Sequence, residues 1–305
     1  HSVGAFSSSS CYTPQKKTLL WSWEVYWVTT AFFAWLVLPI LVAFVTIPNY
    51  LDVVASCPKE AMYRSLSLGI LYGVGGLTFG LGIRYIGFSL NYTIAIGISA
   101  GLGTLLPLIW DPNDGFVWTI FDKFDNMPGL IVLGGIVLSL VGIALCGWAG
   151  ALRERSVDRG KPPVSEEPQE FVATNSTPRY SFRIGVPLAI IAGVLSSVFN
   201  FALLAGAPLE NAASAAGAND LLKMNAIYPF SNGGAFITNL VWCVILIMRN
   251  RTGGQFLSLH KKSQKTLLFY YLMAFLSGAF WYFQFFFYGM GSTQMGKYDF
   301  ASWTL

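Results

Sequence analysis

Seven apolar runs, at about 25–47, 64–86, 88–110, 127–149, 183–206, 227–248 and 267–290, dominate this chain of 305 residues. A hydrocarbon layer about 30 Å thick takes roughly 20 apolar residues of helix, so each run is long enough to cross it. Charged residues make up 11% of the chain, less than half of the roughly 25% typical of soluble domains. No single soluble core could bury that much apolar surface. Pro39, Pro107, Pro187 and Pro229 lie inside the runs, where packing against neighbouring helices re-satisfies the backbone groups that proline frees. A net charge of +4, spread along the chain, leaves no electrostatic footprint for nucleic acid. The reading is an all-α polytopic membrane protein with the lipid bilayer as its surroundings.

Lysine and arginine set the expected orientation. Loops on alternate sides carry 14 against 5 of them, the richer side holding Lys16, Lys17, Arg153, Arg155, Arg249, Arg251 and Lys265. Loops 14–24, 150–182 and 249–266 are therefore expected to be cytoplasmic, in the inner (plasma) membrane. The loop with Asp111, Asp114, Asp122 and Asp125 is then external. The polar, proline-containing stretch 150–182 reads as a linker between an N-terminal half, 1–149, and a C-terminal half, 183–305. The residues before Pro14 and the aromatic stretch from Tyr298 to Leu305 read as parts of further spans. The chain is thus expected to be cut inside its first and ninth spans. Cys11, Cys57, Cys146 and Cys243 are far apart and read as small apolar residues rather than disulfides or metal ligands. The sequons at Asn91, Asn175 and Asn250 fall in a span or on the inner side and read as chance matches.

The chain also repeats itself. The segment Gly4–Tyr12 aligns with Gly193–Phe201, and Phe79–Gly87 with Phe283–Gly291, at offsets of 189 and 204 in the same order. Spans one to five and six to ten then read as copies. Five spans is an odd number, so the second copy is expected upside down, and the basic side changes accordingly between Arg84 and the region of Gly291. Inverted repeats with a substrate near the midplane are a recurring plan of secondary transporters. The alignment sets His1 opposite Ile190, inside a span.

Several stretches resemble the L-rhamnose–proton symporter family of the drug/metabolite transporter superfamily. They include His1-x-x-Gly4-Ala5-x-Ser7, Tyr12-x-Pro14, Lys16-Lys17 and Trp21-Ser22-Trp23-Glu24. Arg84-Tyr85-x-Gly87-x-Ser89, Ala95-Ile96-Gly97-Ile98 and Gly103-Thr104-Leu105 follow. The run Trp281-Tyr282-x-Gln284-Phe285-Phe286-Phe287-Tyr288 and Tyr298-Asp299-x-x-Ser302-Trp303 fit most closely. The 111–126 loop and the 156–180 linker match less well. The resemblance implies a ten-span, 5+5 inverted-repeat bundle. It implies a secondary active transporter that imports L-rhamnose, or a close deoxy sugar, with protons by alternating access. The rival readings are a relative that carries or exports another small metabolite, and a membrane sensor or scaffold without flux. With two histidines, His1 and His260, and no Gly-rich loop after a strand, neither catalysis nor a cofactor or metal site is expected.

A proton-coupled sugar carrier needs an ionisable group in the membrane, amides or hydroxyls for the sugar and aromatic faces for its C–H surface. Asp299 and His1 are the candidates for the proton. Glu24 reads as a helix-start carboxylate. Gln284, a lone amide in an apolar helix, leads for the sugar. Asn200, which falls in the repeat, comes next, while Asn225, Asn232 and Asn239 read as interhelical glue. Trp281, Tyr282, Tyr288 and Tyr298 are the stacking candidates. The pairs Gly69/Gly73, Gly76/Gly80 and Gly97/Gly101 have the spacing that lets helices approach closely.

Overall fold

The structure is a computed structural model and describes residues 1–117, 119, 122, 124–157, 181–258 and 264–304. Most of the expected linker, the Asn175 sequon and His260 lie outside the described residues. The helices are α1 (Ser2–Ser10), α2 (Trp23–Ala31), α3 (Leu38–Thr46), α4 (Tyr50–Ser56), α5 (Lys59–Ile86) and α6 (Phe88–Leu105). After them come α7 (Met127–Val157), α8 (Phe182–Ala205), α9 (Ala207–Ala215), α10 (Tyr228–Asn250) and α11 (Gln264–Ser292). A π-helical turn, Phe32–Val37, joins α2 to α3 in one rod.

Among the described residues, seven stretches are long and apolar enough to cross a membrane: Trp23–Thr46, Lys59–Ile83, Ser89–Leu108, Met127–Ala149, Phe182–Ala215, Tyr228–Asn250 and Gln264–Ser292. They fall on the seven apolar runs. Their outer faces are apolar too, with Ile131 and Leu138 of α7 more than 70% exposed. Surface leucine and isoleucine at that density suit a hydrocarbon solvent, not water. The protein is a polytopic, mainly helical membrane protein. One small departure from all-helix is a hairpin that pairs Trp110 with Phe116 and Asp111 with Gly115. Its turn is built by Asp111, whose Oδ1 accepts the Asn113 N–H at 2.7 Å, and by Gly115 at φ +79°, both common turn devices.

The chain forms two units. The first holds His1–Gly73 with Ala202–Asp299. In it α1 runs antiparallel along α11: His1 meets Gly291, Gly4 meets the Gln284 carbonyl, and the Ser277 hydroxyl donates to the Cys11 carbonyl. Helix α10 packs against α2, the π turn and α3, and parallel against the first half of α5. There Gly69 meets the Ser231 backbone, and a Cβ on Gly234 would lie 2.6 Å from the Ile70 nitrogen. Backbone lies on backbone at this crossing because glycine stands on both helices. The α4 end is tied in by Tyr50, whose hydroxyl donates to the Ala226 carbonyl at 3.3 Å. Beside it the Cys57 thiol donates to the Pro208 carbonyl at 3.4 Å, and burial pushes that thiol's pKa up. All four cysteines are free, and Cys146 alone is exposed.

The second unit holds Val74–Phe201 with Phe300–Thr304. Helix α8 runs antiparallel along the last part of α5, with Leu195 against Gly75 and Gly185 against Tyr85 and Ile86. Helices α6 and α7 form an antiparallel pair, in which Gly147 meets Thr93 and Gly97 meets Ile143. The glycines singled out by spacing thus differ in what they touch. Gly69 and Gly73 face α10 closely, while Gly97 and Gly101 make ordinary side-chain contact. The Gly76/Gly80 pair departs from the expectation. Gly76 is exposed, and a Cβ there would meet nothing within 4 Å. Gly80, one turn further along α5, is half-buried. The physical reason is rotation: Gly75, one residue before Gly76, is the glycine that α5 turns toward α8. The Gly76/Gly80 spacing therefore does not bring a helix close at Gly76, whatever its motif suggests.

Substituting Gly234 by valine should lower stability by about 1–3 kcal/mol through overpacking. Gly76→Ala should leave it unchanged, or raise it by up to about 1 kcal/mol by helix propensity. Thermal unfolding of the two variants in detergent checks the contrast, which an equal response would contradict.

Candidate functional site

The first unit holds a cluster of aromatic rings that the spacing of Trp23, Trp27 and Trp35 builds along one rod. Trp23 and Trp27 are four residues apart and stack, with centroids 5.7 Å apart at 13°. Eight residues of α-helix would turn Trp35 about 80° away from Trp27. The wider π turn takes up part of that rotation, and Trp35 meets Trp27 with centroids 6.0 Å apart. Tyr12 lies parallel to Trp27 at 6.4 Å. Trp281 of α11 stands perpendicular to Tyr12, Trp27 and Trp35, at 5.6, 5.6 and 5.7 Å. Ala235 and Cys243 of α10, both fully buried, complete the packing, with Tyr72 of α5 against it.

Polar groups are set into this apolar cluster. The Trp27 indole N–H donates to Asn239 Oδ1 at 2.9 Å, and Asn239 Nδ2 donates to the Ala235 carbonyl at 2.9 Å. Toward the end of α10, Glu24 is 5% exposed. Its Oε1 accepts from Asn250 Nδ2 at 3.0 Å and from the Thr252 hydroxyl at 2.9 Å. This helix-start carboxylate therefore also ties α2 to the C-terminal end of α10. The Asn232 amide and the Trp35 indole nitrogen are buried without a hydrogen-bond partner.

A second polar group in the same unit surrounds Tyr228, Tyr282 and Tyr288. Tyr228 donates to the Phe285 carbonyl at 2.6 Å. Tyr282, fully buried, donates to Asn225 Oδ1 at 3.3 Å, and Asn225 Nδ2 donates to the Thr46 hydroxyl at 3.2 Å. Glu210 of α9 pairs with Lys223 at 3.4 Å. Tyr288 lies about one turn along α11 from Phe285, whose carbonyl takes the Tyr228 hydroxyl.

The structure brings some of the sequence candidates together. His1 is half-buried, its ring 6.1 Å from Tyr288, and its Nε2 has no hydrogen-bond partner. Asp299 is exposed, in a 3-10 segment, Gly296–Thr304. Tyr298 beside it lies under the Lys297 ammonium, 5.0 Å from the ring centre. Gln284 is half-buried. Trp281 belongs to the aromatic cluster and Tyr282 to the tyrosine group. Asn200 belongs to the second unit, where its Nδ2 donates to the Gly103 carbonyl at 2.6 Å. Residues not singled out beforehand include Tyr12, Trp27, Trp35, Glu210 and Lys223. The tryptophan spacing along Trp23–Trp35 was a readable signal for the aromatic cluster; nothing local marked Glu210 and Lys223 as partners. Among the described residues no group of three or more His, Cys, Asp or Glu is placed to hold a metal ion.

Comparison with known proteins supplies the family. The model of the family described as L-rhamnose-proton symport protein (RhaT) matches residues 1–305. The chain belongs to this family. It is 32% identical over 309 aligned positions to an L-rhamnose-proton symporter of Yersinia pestis (strain Pestoides F), covering all of this chain and 82% of that protein. It is 31% identical over 308 positions, with the same coverage, to an L-rhamnose-proton symporter of Escherichia coli O17:K52:H18. No solved structure gives a significant match.

Within this family member the Trp27–Asn239 bond is a test of the site's architecture. Asn239→Ala should cost about 1–3 kcal/mol by stranding the Trp27 N–H. Trp27→Phe should then cost less in the Asn239→Ala background than in the wild type, by a coupling of about 0.5–1.5 kcal/mol. A double-mutant cycle by thermal unfolding measures it; strict additivity would contradict the bond's role.

Proposed function

We propose that the protein imports L-rhamnose, or a close deoxy sugar, together with protons across the inner membrane, by alternating access in a bundle of two inverted five-span copies. The observation that carries this reading is the match to the symporter family along residues 1–305. The copies, 1–149 and 183–305, are joined by the 150–182 linker. The seven long helices occupy spans two to eight.

The repeat reading draws support from packing inside each unit. Helix α1 lies antiparallel on α11, with Gly4 at Gln284 and Cys11 at Ser277. Its repeat counterpart α8 lies antiparallel on the counterpart segment of α5, with Leu195 at Gly75. Shifted by the offsets of 189 and 204, the Leu195–Gly75 contact becomes Phe6–Ala279, between the two α1–α11 contacts just named. The excess of Lys and Arg in loops 14–24, 150–182 and 249–266 supports a cytoplasmic position for them.

For the sugar, the reading uses Trp281 and Tyr282 with Gln284, while Tyr288 and Tyr298 lie near the proton candidates His1 and Asp299. Asn200, whose amide donates to the Gly103 carbonyl in the second unit, is a further candidate for the sugar. A proton loaded from outside favours sugar binding; its release to the cytoplasm weakens binding and frees the sugar.

Uptake of labelled L-rhamnose into proteoliposomes, with and without an imposed inward proton gradient, tests the proposal. Accumulation that a protonophore abolishes is expected. Asp299→Asn should lose accumulation while keeping downhill flux. No rhamnose flux under either condition, from protein shown to be folded and inserted, would remove the rhamnose assignment.

A further inference from the structure

Of the asparagines buried among the described residues, namely Asn91, Asn200, Asn225, Asn232 and Asn239, four engage their amide nitrogen. Asn232 engages neither end: it is fully buried, and both Nδ2 and Oδ1 are without a partner. A buried amide left this way loses its hydrogen bonds to water at both ends and gains none. Inside a membrane helix bundle the ordinary remedy is a bond to a neighbouring helix, which Asn239 finds one heptad further along the same helix. Asn232, Ala235 and Asn239 fall on one stripe of α10 by their spacing. Asn239 meets Trp27 and Asn225, just ahead of α10, meets Thr46, so α10 runs antiparallel to the rod and Asn232 stands level with the part of the rod that carries Trp35. There Trp35, 4% exposed, also holds its indole nitrogen without a partner.

We propose that Asn232 and the Trp35 indole N–H are the polar contacts of a binding site for a neutral pyranose, walled by the rings of Trp35 and Trp281. This deepens the sugar-carrier reading and rests on it. An amide offers one acceptor and one donor group side by side, matching two adjacent hydroxyls that can each give and take a hydrogen bond. The indole supplies a further donor. Both groups are uncharged, which fits a polyol and not an anion. The perpendicular rings of Trp35 and Trp281, 5.7 Å apart, offer apolar faces to the sugar's C–H surface, and a 6-deoxy sugar adds a methyl group to that surface. None of this uses Gln284 or the tyrosine group. The site makes Asn232 a ligand residue, in place of the interhelical bond that its sequence context suggests.

The test uses the full chain in lipid nanodiscs, with L-rhamnose as the probe. Binding is read by titration and by the sugar-induced rise in melting temperature. Asn232→Leu keeps the shape and removes the amide; Trp35→Phe keeps a ring and removes the N–H. The expected result is that Asn232→Leu melts, without sugar, at or above the wild-type temperature, while its rhamnose affinity falls at least about tenfold and the sugar-induced shift disappears. Trp35→Phe should weaken binding by about three- to tenfold. If wild-type protein binds and both variants keep its affinity, the assignment is overturned and the symporter reading stands. An Asn232→Leu protein that melts lower or fails to fold contradicts it as well, since a group that serves only a ligand is not needed for stability. If wild-type protein binds neither L-rhamnose nor a related pyranose, both the assignment and the reading beneath it fall.

Discussion

An amide in the interior of a membrane protein must find a partner, and helix α10 carries two of them on one stripe. Much of the first unit is arranged around that demand. Asn239 takes the Trp27 N–H, which fixes the rod Trp23–Thr46 against α10. Asn225, just ahead of α10, reaches Thr46 at the far end of the same rod. Glu24 is held by Asn250 and Thr252 at the near end. Three polar contacts along its length thus set the register of two spans that apolar packing alone would leave free to slide, because lipid is as good a solvent for leucine as another helix is.

The second constraint is closeness. Gly69 and Gly234 let α5 and α10 meet backbone to backbone, which fixes the line along which these parallel helices cross. Tyr72 of α5 then comes against the aromatic cluster. The π turn at Phe32–Val37 performs a similar service within one helix, turning Trp35 toward the ring of Trp27. π turns of this kind are often found at functional sites. Here one brings the Trp35 ring into the group that Trp281 joins from α11.

The spans were legible in the sequence, because a run of about 20 apolar residues has one main use. The same signal placed most ends of the long helices to within a few residues, but it missed the polar first turn of α5 from Lys59 and the charged last turns of α7 out to Val157, because helix continues past the apolar run where charged residues reach water. The hairpin at Trp110–Phe116 was not read beforehand, though its Asp-Pro-Asn-Asp-Gly turn is a strong local signal. Asn225 and Asn239 read as interhelical glue, and each bonds a neighbouring segment. That Asn200 does so too and Asn232 does not was not legible, because it depends on what the facing helix presents: a carbonyl, as Gly103 does to Asn200, or an indole, as Trp27 does to Asn239. The same holds for glycine: Gly69/Gly73 and Gly76/Gly80 share a motif type, yet Gly69 faces a backbone and Gly76 meets nothing within 4 Å. The Glu210–Lys223 pair depends on how the α9 turn folds back, which no local pattern announces.

Symport requires proton and sugar to move together. Adding L-rhamnose to a lightly buffered, de-energised suspension of vesicles holding the protein should make the outer medium more alkaline as protons enter with the sugar. The change should be abolished by a protonophore and absent from vesicles without the protein. Entry of labelled rhamnose with no accompanying pH change would contradict symport, whatever the fold.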